Sequence, residues 1–237
     1  MTIYGTTTNA RNSYVCHQYF ERAFCMKRSA YDFAHETEKR IQALSDDEPK
    51  HFFERPRPAK RLIEEIYPLS KLALRFQQLG AHVEVEAFEN SGQADGHIWI
   101  ESYAPREFDV QVTFAGYDET DKLRARHLLK HGWVPGSGPI HQDKKTGEII
   151  AEVHAEDVGA PIQRIAASIR KSYLAKAAKG YPPETVLLIA FDVVPLQGRG
   201  YWKMLYDALD EKGGIQAGVF TQVFLFNGAS NELQQVA

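Results

Sequence analysis

The chain has 237 residues, of which 43 % are hydrophobic and 25 % charged, as expected for one large globular domain or one domain with a helical appendage. Its formal net charge of −3 excludes a general attraction for nucleic acid, which would need a local basic patch. The chain has only two cysteines, which excludes a disulfide framework. It has no apolar run of about 20 residues, and its polar start contains no apolar segment. We therefore predict a cytoplasmic protein that spans no membrane.

The N-terminal part is predicted to be helical. Residues 12–44 contain neither Gly nor Pro, and they are rich in Ala, Glu, Lys, Arg and Gln. Two prolines, Pro56 and Pro58, then indicate a linker. We therefore predict an N-terminal helical segment over residues 1–55 and an α/β domain over residues 56–237.

A second helix is predicted over residues 60–79, with Pro68 expected to kink or split it. Its apolar residues recur at helical spacing, and Glu65 lies on the same face as Leu69 and Phe76. Glu64 does not share that face. An acid on the buried face of a helix is unusual, so Glu65 becomes a candidate functional residue.

The rest of the chain alternates between strand and helix patterns. Three alternating strands are predicted over residues 82–88, 96–101 and 108–114, followed by an insertion near residues 117–157 that holds a charged helix and a short hairpin. Helix, buried strand, helix and strand follow at residues 161–180, 185–191, 201–212 and 220–226. This order predicts an α/β fold with a mixed central β-sheet flanked by helices.

Polar residues on neighbouring strands form the candidate site. Asp95 opens the second strand, and Asp109 and Gln111 share one face of the third. A hairpin would bring the two carboxylates together, and a divalent cation such as Mg²⁺ or Mn²⁺ would relieve their repulsion. Gln111 would donate to a water or a phosphate, and Glu65 would be either a further ligand or a residue that orients a ligand.

This arrangement resembles the PD-(D/E)XK nuclease superfamily, which includes restriction endonucleases. The resemblance is carried by Asp95 and by the run Asp109-Val110-Gln111, and it covers roughly residues 60–226. It implies a restriction endonuclease-like core, Mg²⁺-dependent hydrolysis of phosphodiester bonds and a catalytic role for Asp95, Asp109 and Gln111. The superfamily's usual Lys is replaced by Gln111, and we expect Lys171, from the helix over residues 161–180, to supply the missing charge.

Two alternatives to this assignment stay open. In a second alignment Gln111 and Thr113 occupy the acid and lysine places, which leaves Asp95 without a second ligand and predicts an inactive enzyme. The polar face of the three strands could also simply face water, as in many antiparallel sheets.

Basic residues in two regions are candidate nucleic-acid contacts, together with one aromatic residue, Trp133, that could stack on a base. One set comes from the helix over residues 161–180 and the other from the insertion. They are Arg164, Arg170 and Lys171, then Arg124, Lys130 and Trp133. Lys176 and Lys179, at the end of the same helix, are expected to be solvent-exposed residues.

The expected function is a metal-dependent nuclease, with DNA as the expected substrate and a homodimer suited to cutting both strands. A catalytically decayed module of the same fold, which binds nucleic acid or a protein partner, is the alternative. The missing Lys favours this alternative.

Overall fold

A mixed seven-stranded sheet runs through the protein in the computed structural model, which describes residues 24–77, 80–89, 94–116, 118–135, 138–157, 159–193 and 200–237. The strands are β1 (Arg28–Ser29), β2 (His82–Ala87), β3 (Gly96–Glu101), β4 (Arg106–Ala115), β5 (Ile140–Gln142), β6 (Ile149–Ala151), β7 (Val186–Phe191), β8 (Gln222–Asn227) and β9 (Glu232–Gln235). The sheet order is β1-β2-β3-β4-β7-β8-β9, and β5 and β6 form a separate hairpin.

The helices lie on both sides of this sheet. They are α1 (Ala30–Asp47), α2 (Pro49–Glu54), α3 (Arg57–Arg61), α4 (Tyr67–Gln77), α5 (Glu119–His131), α6 (Ala160–Ala177) and α7 (Tyr201–Glu211), and a π-helical turn over Leu62–Ile66 joins α3 to α4. Across the described ranges, no helix is long and apolar enough to cross a membrane.

The sheet changes direction at β4. Strands β1 to β4 pair antiparallel, whereas β4 pairs parallel with β7 and β7 pairs parallel with β8. Parallel neighbours need crossover connections, and α6 and α7 belong to these two crossovers. The prediction of an α/β fold with a mixed central sheet flanked by helices is confirmed.

Two hydrophobic cores cover the two faces of the sheet. Residues Val186, Leu188 and Ala190 of β7 contribute to the core under α1 and α4, and the residues between them contribute to the core under α6 and α7. Every residue of β7 is therefore buried, which explains why its sequence is a continuous apolar run rather than an alternating one.

The N-terminal helix begins later than predicted. Ser29 accepts a hydrogen bond from the Asp32 backbone N–H and caps α1, so the helix cannot extend back through residues 24–29. Arg28 and Ser29 instead pair with β2, and Phe33 of α1 is fully buried in the main core. The first part of the predicted helix, residues 12–23, lies outside the described residues.

The π turn before α4 corrects the predicted orientation of Glu64. Pro68 has no N–H for the Glu64 carbonyl, and the Tyr67 N–H donates to the Leu62 carbonyl, five residues back. The wider turn changes which side chains face inward. Glu64 is buried at 6 % exposure, whereas the side chain of Glu65 is 40 % exposed. The prediction that only Glu65 points inward is therefore wrong.

Gly96, the first residue of β3, should tolerate no side chain. A Cβ atom there would lie 2.5 Å from Leu69 Cδ2 and 2.7 Å from the Glu86 carbonyl oxygen. We expect Gly96→Ala to lower the free energy of unfolding by about 1–3 kcal/mol because the backbone of β2 must shift. Gly180→Ala is the control, since nothing lies within 4 Å of the added carbon. Equal midpoints for both variants in denaturant titrations would contradict the expectation.

Candidate active site

A cleft of about 460 Å³ opens between the π turn and the C-terminal end of α6. Its floor is formed by Asp95 and by residues 111–114 of β4. One wall holds Lys60, Glu64 and Glu65, and the other holds Lys176, Lys179 and Tyr181. Three lysines and three carboxylates therefore share one concave site, and such clusters of titratable groups in a cleft are typical of functional sites.

The register of β3 and β4 places Asp95 beside Gln111. Gly96 lies opposite Val110, and the Asp95 N–H donates to the Val110 carbonyl at 2.9 Å. The Asp95 carboxylate accepts hydrogen bonds from the Val112 N–H, at 2.7 Å, and from Nε2 of Gln111. Burial nevertheless raises the pKa of Asp95, because the charged carboxylate has lost part of its hydration.

Asp109 does not join Asp95 in the cleft, contrary to the sequence prediction. It lies opposite His97 and accepts a hydrogen bond from Nδ1 of that ring at 2.7 Å. The register therefore places Asp95 beside Gln111, whereas Asp109 lies two residues before Gln111 in β4 and opposite His97. Thr113 lines the cleft instead, so the geometry agrees with the second alignment, in which Gln111 and Thr113 follow Asp95.

The second carboxylate in the cleft comes from the π turn. Burial raises the pKa of Glu65, and the nearby charge of Asp95 raises it further. Glu65 is held only loosely, with Arg61 Nε 3.7 Å from its Oε2. The structure thus brings together Asp95, Gln111 and Glu65, as predicted, but it obtains the acid pair from Asp95 and Glu65.

Glu64 lines the same wall and was not predicted. Its nearest charged partners are Arg55 Nη1, at 3.4 Å, and Lys60 Nζ, at 3.8 Å. Burial raises its pKa, and these two cations counteract the rise only in part. Arg55 is bound more closely to Asp192, at 2.7 Å.

Of the two lysines of α6, Lys176 lines the cleft and Lys171 does not. Lys171 is exposed and does not line the cleft, whereas Lys176 is partly buried there. Burial lowers the pKa of Lys176, and the charge of Asp95 raises it back in part. The sequence did carry a signal for this residue: the buried residues Ile169 and Tyr173 are followed at helical spacing by Lys176, not by Lys171.

The three predicted arginines bond to other groups of the protein. Arg164, which is exposed, forms a two-pronged ion pair with Glu156, and Nε of Arg170 donates to the Lys212 carbonyl at 3.2 Å. Arg124 donates to the carbonyls of Pro135 and Gly138 at 2.5 and 2.6 Å and so fixes the loop after α5. None of the three lines the cleft, and their role as nucleic-acid contacts stays a prediction.

Lys130 and Trp133 remain exposed, but they lie on the insertion and do not line the cleft. The Trp133 ring packs edge-on against His127, with the ring centroids 5.0 Å apart. Neither residue contributes to the candidate site.

The oxygen atoms in the cleft are suitable ligands for a hard divalent cation. Asp95, Glu65 and the amide oxygen of Gln111 are oxygen ligands of the kind that Mg²⁺ and Mn²⁺ prefer. The mutual repulsion of Asp95 and Glu65 is what a bound cation would relieve. Among the described residues, no three His, Cys, Asp or Glu side chains are grouped closely enough to hold a metal, so an amide oxygen and waters would complete the site.

Comparison with known protein families, with curated protein sequences and with solved structures finds no significant match to this chain. The chemistry of the cleft is therefore inferred from its own side chains. The residues that sequence reasoning missed or set aside are Lys60, Glu64, Lys176, Lys179 and Tyr181.

Proposed function

We propose that the protein is a metal-dependent nuclease that hydrolyses phosphodiester bonds of nucleic acid, and that it resembles the PD-(D/E)XK enzymes. The supporting observation is that Asp95, Glu65 and Gln111 meet Lys176 in one cleft at the point where the antiparallel strands end and the parallel pairing begins. This is the convergence of carboxylates, amide and lysine that such chemistry requires.

Each of these side chains has a distinct part in the proposal. Asp95, fixed by the Val112 N–H, and Glu65, on the opposite wall, would hold the cation together with the Gln111 amide oxygen. When bound, the cation polarises the phosphodiester and lowers the pKa of a water molecule. Lys176 stabilises negative charge that develops on the phosphate, in the place of the lysine that β4 lacks.

The charge balance of the cleft favours an anionic substrate once a cation is present. Its three lysines, Lys60, Lys176 and Lys179, offset the three carboxylates, so a divalent cation makes the cleft positive. Lys60 has a side chain that is 59 % exposed, and Lys179 is also exposed. Both can therefore reach the phosphates on either side of the bond that is cleaved.

Cleavage of labelled single-stranded DNA, duplex DNA and single-stranded RNA in Mg²⁺ or Mn²⁺ tests the proposal. We expect cleavage that a chelator abolishes and that depends on Asp95. Absence of cleavage of DNA and RNA in both metals would contradict it.

A decayed binding module is the second candidate, and Gln111 favours it. A neutral amide stands where a third carboxylate would strengthen the grip on a metal. This candidate predicts no measurable binding of Mg²⁺ or Mn²⁺, together with a salt-dependent affinity for DNA.

Binding of a cation should weaken on acidification earlier than for ordinary carboxylates. The pKa values of Asp95 and Glu65 are both raised above the usual value of about 4, and only the charged forms bind a cation. Protons therefore compete as the pH falls through these raised values. We expect the Mn²⁺ affinity, measured by calorimetry from pH 8 to pH 4.5, to fall as the pH is lowered. A constant affinity over that range would contradict the assignment of these two ligands.

A further inference from the structure

We infer that the cleft accepts a single strand of nucleic acid, with one base stacked against Tyr181. This inference rests on the proposed function, because it assumes that the phosphodiester next to that base lies at Asp95. It adds the class of substrate, a single strand rather than a closed duplex, and a residue that recognises it.

Tyr181 is an aromatic wall at the mouth of the cleft. It follows Gly180 just beyond the end of α6, and its side chain is only partly buried. Phe220, which is buried at 3 % exposure, packs behind it with the ring centroids 5.2 Å apart and the planes tilted by 39°. The Tyr181 ring is thus braced from the protein side, as a platform for stacking should be.

The phenol also lines the same cleft as Asp95, the metal-binding carboxylate of the proposal. The charge of Asp95 contributes to raising the pKa of Tyr181, after burial itself. A base on this ring would therefore place its own phosphate near Asp95. Every nucleobase has a π face, so this contact would be tolerant of sequence.

The stacking contact itself favours one strand. A base can stack on a protein ring only where its face is free of the neighbouring base, which a single strand permits more readily than a closed duplex. Arg124, Arg164 and Arg170 bond to protein atoms and do not line the cleft. The phosphates of a bound strand would then contact the lysines of the cleft, and a flexible single strand can enter this cleft.

Fluorescence anisotropy tests the inference in an Asp95→Asn background, which prevents cleavage and removes one negative charge from the cleft. The probes are a thymidine 12-mer, an abasic strand of the same length and a duplex 12-mer. We expect the thymidine strand to bind about tenfold more tightly than the abasic strand, and also more tightly than the duplex. Tyr181→Ala should remove the difference between thymidine and abasic strands, while Tyr181→Phe should keep it.

Tyr103→Ala is the matched control, because Tyr103 is fully exposed on the turn after β3, six or more residues along the chain from Asp95. It should leave all three affinities unchanged. Equal binding of thymidine and abasic strands, or an equal loss in the Phe and Ala variants, would overturn the inference. Cleavage by the wild-type protein separates the two proposals: a duplex cut as fast as a single strand refutes this inference alone, and strand binding without any cleavage refutes only the nuclease.

Discussion

Asp95→Asn is expected to lower the rate of cleavage by about 1,000-fold or more while raising the free energy of unfolding of the metal-free protein. Cleavage is lost because the cation, which supplies several kcal/mol of transition-state stabilisation, loses a charged ligand. The gain in stability follows from removing a charge that burial disfavours. The asparagine oxygen can still accept the hydrogen bond from the Val112 N–H.

The pH dependence of that stability gain has a definite sign. The folded protein raises the pKa of Asp95, so its protonated form is favoured by folding, and this contribution is lost as the pH rises through the raised value. The variant should therefore have a higher free energy of unfolding than the wild type at pH 7. The difference between the two should disappear below the usual carboxyl pKa of about 4. Denaturant titrations at pH 7 and pH 3.5 measure it.

Asp109→Asn is the control for the same substitution outside the cleft. Asp109 bonds to His97 and does not line the cleft, so this variant should keep most of the cleavage activity. Loss of cleavage in Asp109→Asn with activity retained in Asp95→Asn would reverse the assignment and restore the pairing that the sequence suggested.

Lys176→Ala should lower the rate of cleavage by about 100-fold or more, and Lys171→Ala should change it little. Both residues lie on α6, but only Lys176 lines the cleft and faces the charge of Asp95. A positive charge aimed at a phosphate in a partly buried site contributes on this scale. Single-turnover cleavage at saturating enzyme measures the chemical step for both variants.

Lys176→Arg separates a catalytic role from a structural one. It keeps the charge, so it should recover part of the rate that the alanine variant loses, with an unchanged unfolding midpoint. If Lys171→Ala were the slower variant, or if both were as fast as the wild type, the role given to Lys176 would be wrong.

Most of the sheet could be predicted from periodicity. The side chains of β3 alternate because the strand is buried on one face, and those of β7 are all apolar because that strand is buried on both faces. Burial of this kind can be predicted directly from the sequence pattern. The small edge strands β1 and β9 were missed. A two-residue strand such as Arg28–Ser29 has too few residues to show a period.

The candidate site was less predictable because it depends on register and helix phase. Whether Asp95 faces Asp109 or Gln111 is set by the turn between β3 and β4, and sliding the pairing would change every neighbour. The π turn likewise shifts Glu64 inward, against the regular helical spacing. The position of Lys176, by contrast, could be predicted, because it follows the buried residues Ile169 and Tyr173 of α6 at helical spacing.

Calorimetric titration of Mn²⁺ into the wild type, Asp95→Asn and Asp109→Asn at pH 7.5 tests most directly whether Asp95, rather than Asp109, holds a cation. We predict one site per chain in the wild type and in Asp109→Asn, and none in Asp95→Asn. A wild-type protein that binds no Mn²⁺, or a site that survives Asp95→Asn and disappears in Asp109→Asn, would contradict the proposed metal centre.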